Sequence, residues 1–160
     1  MQKIKLIAMG KLTETYTKAA VEEFSKRISR FYSFTAVELK PETVPDNPTD
    51  AEIAKALSKE SEKILAEIPP RTKVVALCVE GKTMPSDAFA RMLSDAASSG
   101  TPDVCFIIGS SHGLDDSVKK RADVKLSFSP MTFPHELFRV MLYEQIYRAG
   151  EILSGGKYHK

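Results

Sequence analysis

The last three residues, Tyr158, His159 and Lys160, set an aromatic ring, a titratable imidazole and a cation side by side. Such a triplet can grip a stacked base and move a proton near neutral pH. Read from spacing alone, the same residues describe a solvated tail behind the glycines of SGGKYHK. Three other stretches have the composition of binding loops. Leu77 to Gly81 (LCVEG), Ile108 to Gly113 (IGSSHG) and Phe128 to Pro134 (FSPMTFP) each sit at the end of a strand-like run, and open parallel sheets bind ligands beyond the carboxyl ends of their strands. Gly109 would let a ligand approach the backbone because no side chain stands in the way, although a tight turn would use the same glycine. Prolines at 130 and 134 bracket a loop that neither a ladder nor a helix absorbs, which leaves the backbone of Ser129 to Phe133 free to bind.

Other candidates are weaker. His135 stands at a helix start, where the dipole disfavours its protonated form, and reads as an anchor. His112 has no paired ligand at metal spacing, and no metal site is expected. Glu144 precedes Arg148 by four residues, the spacing of a helical ion pair. No GxGxxG follows the first strand and no GxxxxGKS/T occurs, so the usual dinucleotide and triphosphate cradles are absent.

The elements that must position these residues alternate. KIKLIAM, residues 3 to 9, has the period of a half-buried strand. Thr13 then reads as the N-cap of a helix running to about Ser29, with Tyr16, Ala20, Phe24 and Ile28 as its apolar stripe. A strand from Phe34 to Leu39 leads into PETVPDNP, an irregular loop. Thr49 and Glu52 form a capping box before a helix with Ile53, Leu57, Ile64 and Ile68 inward, stopped by Pro69-Pro70. Buried strands follow at Lys73 to Val79 and Val104 to Ile108, separated by a helix carrying Phe89, Met92, Leu93 and Ala96. A short helix around Ser117 to Arg121 precedes a strand with Leu126 and Phe128 facing one way. The final helix begins after Pro134 and is apolar on every side, through Leu137, Phe138, Val140, Met141, Leu142, Tyr143, Ile146 and Tyr147. Such a helix must be covered all round, by a second copy of the chain or as a central helix within one domain. The pattern predicts one α/β domain over residues 1–160, with a largely parallel sheet and helices on both faces.

Composition sets the outer bounds. The chain has 160 residues, 42% hydrophobic and 28% charged, which is ordinary for a globular protein. No apolar run is long enough to span a bilayer and no secretion signal is visible, so a cytoplasmic protein is expected. Cys78 and Cys105 lie in strand-like runs and read as buried free thiols. A net charge of +2 does not by itself announce a nucleic-acid binder. Lys18, Lys26, Arg27, Arg30 and the tail could form a local basic surface, or an ordinary solvated face.

At this point the motifs carry a resemblance. KIKLIAMGKL, IGSSHGL, LSFSPMTFPHELFRVMLYEQIYRA and the terminal YHK together resemble the RlmH (YbeA-like) family of SPOUT methyltransferases over essentially the whole chain. The family often has a second glycine where this chain has Ser110, and often ends in arginine where it has Lys160. The resemblance implies an α/β SPOUT fold with a deep C-terminal trefoil knot, working as a homodimer. It implies S-adenosyl-L-methionine as cofactor and N3 of a pseudouridine in 23S ribosomal RNA as target, with neither metal nor membrane. Leu77, Gly109, Phe128, Ser129, Pro130, Met131, Thr132 and Phe133 match the family's cofactor-binding positions. His159 is then expected to accept or relay the imide proton, Lys160 or Arg139 to stabilise the charge on the base, and Tyr158 to position it. The tail is expected to reach across the dimer. Two competing classes share the fold: a noncatalytic ribosome-associated factor, and a methyltransferase acting on another RNA.

Overall fold

The computed structural model describes residues Met1–Lys160. Strand and helix alternate as β1 (Lys3–Met9), α1 (Thr15–Ile28), β2 (Ser33–Leu39), α2 (Asp50–Glu67), β3 (Thr72–Lys82), α3 (Ser86–Ala97), β4 (Asp103–Ile108), α4 (Asp116–Arg121), β5 (Val124–Leu126) and α5 (His135–Leu153). The five strands form one sheet in the order β2-β1-β4-β3-β5, and every pairing is parallel. All carboxyl ends therefore lie along one edge, as the alternation of elements predicted.

Alternate strand residues feed two cores. Ile4, Leu6, Val75, Leu77, Val104, Phe106 and Ile108 face α1, α3 and α5. Ile7, Met9, Val74, Ala76, Cys105 and Ile107 face the layer of α2 and α4. Burial in this second core pushes the Cys105 thiol up to about 12, so it behaves as a small hydrophobe. α5 packs against both α1 and α3. Its Leu142, Tyr143 and Ile146 are almost fully buried, each contributing about 1.5–3 kcal/mol. Much of the apolar circumference that suggested a second copy is thus covered within the chain. Leu137 and Leu153 remain exposed and Val140 and Met141 half-buried.

The structure corrects several local expectations. Tyr16 is 63% exposed, and the inward face of α1 is instead built on Thr17, Val21, Phe24 and Ile28. The N-cap residue is Glu14, with no cap from its own side chain. The Glu136 carboxylate, from the first turn of α5, does that work: it accepts from the amides of Thr13 and Glu14 and from the hydroxyls of Thr13 and Thr17, at 2.7–3.0 Å. A local signal could not show this, because the donors and acceptor are separated by about 120 positions. Phe128 lies beyond β5, whose ladder ends at Leu126 before the chain turns away. β3 runs on past Val79 to Lys82, with residues 78–81 bulging out between two ladder pairs that both meet Leu126. Gly81 permits this: a Cβ there would stand 2.7 Å from the backbone of Lys125.

The capping box of Thr49 and Glu52 is present as expected. The buried face of α2, however, includes Glu60, only 3% exposed. Its two oxygens accept separately from the Ser110 hydroxyl at 2.7 Å and the Glu42 amide at 2.9 Å. One carboxylate thereby ties together the loops after β2 and β4.

Two stability predictions follow from these carboxylates. Four donors lower the Glu136 pKa from 4.5 to about 2, so its contribution is full above the unfolded value and is lost as pH falls from about 4.5 toward about 2. Glu136→Gln should therefore lower the melting temperature at pH 7 and flatten its dependence on pH in that window, as measured by thermal unfolding. Glu60→Ala strands two donors and should cost about 3 kcal/mol in urea unfolding, with a smaller loss for Glu60→Gln, which keeps one carbonyl acceptor.

Candidate functional site

Two of the strand-end loops meet at a cavity beyond β3 and β5. Leu77, Cys78 and Val79 form one wall, and Leu126 to Ser129, Met131, Thr132 and Phe133 form the other, closed by His135 and Phe138 from α5. The volume is about 120 Å³. Of the residues singled out for cofactor binding, Leu77, Phe128, Ser129, Met131, Thr132 and Phe133 line it. Pro130 is exposed beside it, and Gly109 is not among its lining residues. The role of Gly109 is visible in the loop itself. A Cβ there would collide with the backbone of Gly113 and the side chain of Leu114, where the Gly113 amide closes a turn onto the Ser110 carbonyl at 2.9 Å.

The 127–134 loop has the donors that its prolines predicted. Ser127 donates its amide to Lys82 and Met131 donates to the Ser129 hydroxyl. The amides of Phe128, Ser129, Thr132 and Phe133 bond to nothing within the chain. Free amides between aromatic and aliphatic walls suit a ligand with flat polar edges and an apolar body. No acidic side chain lines this cavity. Cys78 borders it, with its thiol pKa raised by burial. Burial also holds the His135 imidazole below its ordinary pKa, reinforced by the positive charge of Arg139 one turn later.

A second, larger cavity of about 450 Å³ shares Leu126, Ser127 and Phe128 with the first. Phe24, Met84, Phe89, Val140 and Met141 supply apolar walls, and Glu144 and Gln145 supply the polar ones. Gln145 also receives a hydrogen bond from Ser86 at 2.7 Å.

The four candidate chemical residues do not gather at one point. Arg139 is 6% exposed; its guanidinium donates to Glu38 at 2.5 Å and to the Tyr143 hydroxyl at 3.4 Å, and its Nε is buried without a partner. Tyr158 and His159 lie against the other half of α5. Glu144 accepts from Arg148 at 2.5 Å, completing the expected ion pair, and from the Tyr158 hydroxyl at 3.0 Å. Burial, then this hydrogen bond, raises the Tyr158 pKa. Arg148 lies over the Tyr158 ring at 4.6 Å and meets His159 Nδ1 at 3.1 Å. Arginine has no acceptor, so Nδ1 must accept here. Nine residues separate Arg139 from Arg148, about 14 Å along the helix at 1.5 Å per residue. Lys160 is exposed beyond them.

Sequence reading missed Glu60, Glu136 and Glu38 as organising groups. Only Glu136 carried a signal, as an acidic residue in a helical first turn. No group of three His, Cys, Asp or Glu side chains could hold a metal ion, and no helix is long and apolar enough to cross a membrane.

Comparison with known proteins agrees with this architecture. Ribosomal RNA large subunit methyltransferase H of Streptococcus thermophilus (strain CNRZ 1066) is 49% identical over 158 residues, covering 99% of each chain. The protein of the same name from Latilactobacillus sakei is 45% identical over 157 residues, covering 98% of this chain and 99% of its own. A probable methylase family protein from Haemophilus influenzae shares the fold, with a TM-score of 0.54 at 12% identity over 99% of this chain and 71% of that one. A family model described as predicted SPOUT methyltransferase matches residues 2–159, and with that coverage the chain belongs to the SPOUT methyltransferase family.

Proposed function

We propose that this chain is an S-adenosyl-L-methionine-dependent methyltransferase that modifies N3 of a pseudouridine in 23S ribosomal RNA on the assembled ribosome. The observation that carries the reading is the strand-end cavity with its unpaired amides, in a chain about half identical to proteins named as large-subunit ribosomal RNA methyltransferases. Leu77 and Phe128 to Phe133 would hold the cofactor, with the free amides on adenine edges and the apolar walls on the methionyl chain. The smaller cavity alone is below the usual size of a ligand pocket; it shares the Leu126–Phe128 wall with the larger one. Gly109 acts by holding the neighbouring loop closed. When bound, the cofactor supplies a methyl group already activated by its sulfonium.

The chain's own task is alignment, proton removal and exclusion of water. Tyr158 positions the base and His159 accepts the N3 proton, freeing the nitrogen lone pair to form the new bond to carbon. Lys160 stabilises the negative charge that results, and Arg139 adds a fixed cation behind His135. In the intrachain arrangement His159 Nδ1 already faces Arg148, so it must leave Arg148 to take a proton there. Tyr158 likewise is held by Glu144, on the wall of the larger cavity and about 14 Å along α5 from His135 of the smaller one. Both facts favour a tail that crosses to the cavity of a second copy. The dimer would cover Leu137, Val140 and Met141 on the outer side of α5. We also assign residues 1–160 to a single SPOUT domain working in the cytoplasm. Its C-terminal segment would be tied in a deep trefoil knot.

Labelled methyl should pass from S-adenosylmethionine to N3 of the pseudouridine in ribosomes lacking the modification, located by nucleoside mass spectrometry. Label elsewhere would point to another RNA target, and ribosome binding without label to a noncatalytic factor. His159→Ala should reduce turnover by about 10²–10⁴ while cofactor affinity stays unchanged; near-normal turnover would remove the proton-acceptor role. Light scattering at micromolar concentration should find a dimer.

A further inference from the structure

Beside the cofactor cavity lies a charged cleft that the mechanism above does not use. Cys78 and Val79 line the cavity, and the next residue, Glu80, lines the cleft together with Asp116, Lys119, Lys120 and Lys125. Its volume is about 380 Å³, and no apolar side chain lines it. Glu80 is neutralised by its ion pair with Lys119, a contact that lowers the Glu80 pKa and raises that of Lys119. Arg121 reaches Asp123 at 3.9 Å. Lys82, Lys120 and Lys125 are exposed and make no ion pair, with Asp116 the one unpaired carboxylate of the cleft. Val79, 56% exposed, forms an apolar lip between cleft and cavity.

The face that could have been either a basic surface or an ordinary solvated one is different. On α1, Lys26 pairs with Glu22 at 3.6 Å and Arg27 with Glu23 at 3.0 Å, and Arg30 reaches Glu151 at 3.9 Å. Three of its cations are thus answered by carboxylates, two within α1 and one from α5, and Lys18 makes no ion pair. In a chain of net charge +2, the unpaired lysines next to the cavity are charge on which a polyanion gains by counterion release.

We infer that the cleft of Lys120 and Lys125 binds backbone phosphates of the substrate RNA and sets the target nucleotide across Val79 over the cofactor cavity. The inference rests on the RNA-methyltransferase reading for its substrate class. Phosphate contacts of this kind position without reading sequence, which leaves base choice to the cavity. The cleft is built by α4, β5 and the end of β3, at the β5 edge of the sheet.

The test compares wild type, Lys120→Ala/Lys125→Ala and Lys18→Ala/Lys26→Ala on ribosomes lacking the modification. The cleft variant should raise KM for ribosomes about tenfold with kcat within about twofold. Its salt dependence of log K for ribosome binding should fall by about 1.5, the value for two lost phosphate contacts. Cofactor affinity, read by calorimetry, should be unchanged, and the α1 variant should match wild type in every measure. An unchanged KM and salt slope in the cleft variant, or a larger effect from the α1 variant, would overturn the inference. If wild type binds ribosomes but transfers no methyl, and the salt slope still falls in the cleft variant, the cleft stands and the activity reading fails instead.

Discussion

Much of this structure depends on the seating of α5 between α1 and α3 on one face of the sheet. The Tyr143 side chain is 1% exposed and meets the edge of the Phe34 ring at 4.8 Å. A buried phenol of this kind needs a polar partner, and Arg139 provides it while reaching Glu38 at the end of β2. With that helix seated, everything attached to it is placed. Its first turn brings Glu136 to the start of α1 and His135 to the cavity wall, while its last turns hold Tyr158 and His159 against Arg148 and Glu144. Because an α-helix has a fixed rise, the separation between the cavity and the docked tail is set by the helix and not by the tail.

The buried charges show a consistent economy. Glu60, Arg139 and Glu151 are each within the protein, where an unpaired charge would be costly. Each has a charged or polar partner: Ser110 and the Glu42 amide for Glu60, Glu38 and Tyr143 for Arg139, and the Tyr147 hydroxyl for Glu151. The Ser110 hydroxyl gives Glu60 a donor that a glycine there would lack. The smaller cavity is kept free of carboxylates, and its polar capacity comes largely from backbone amides. Such a site favours a ligand recognised by shape and hydrogen-bonding edges, and it leaves proton transfer to side chains brought from elsewhere.

Much of the fold was legible because its signals are local. The capping box at Thr49 and Glu52, the inward face of α3 and the proline stops after α2 each depend on residues a few positions apart. Within the site, the prolines around Ser129 to Phe133 announced a loop with free amides, and most of its side chains do line the cavity. Tyr16 was misread because a four-residue period fits two adjacent faces of α1, and packing chose Thr17 and Val21. Phe128 was misread as strand because alternation continued after the β3 partner had moved away.

Hydrophobic period, capping residues and breakers thus determined the order of strands and helices, the parallel sheet and the segment that forms the cavity. Those properties follow from interactions between near neighbours, which a linear pattern records. The tertiary structure alone decided that Glu136 caps a helix about 120 positions away, that Glu60 joins two loops, and that Lys26 and Arg27 of α1 find partners while Lys120 and Lys125 do not. Each of these depends on which side chains meet in space after the chain has closed on itself. Charge pairing and long-range hydrogen bonding are decided by distance in three dimensions, and sequence separation carries no measure of that distance.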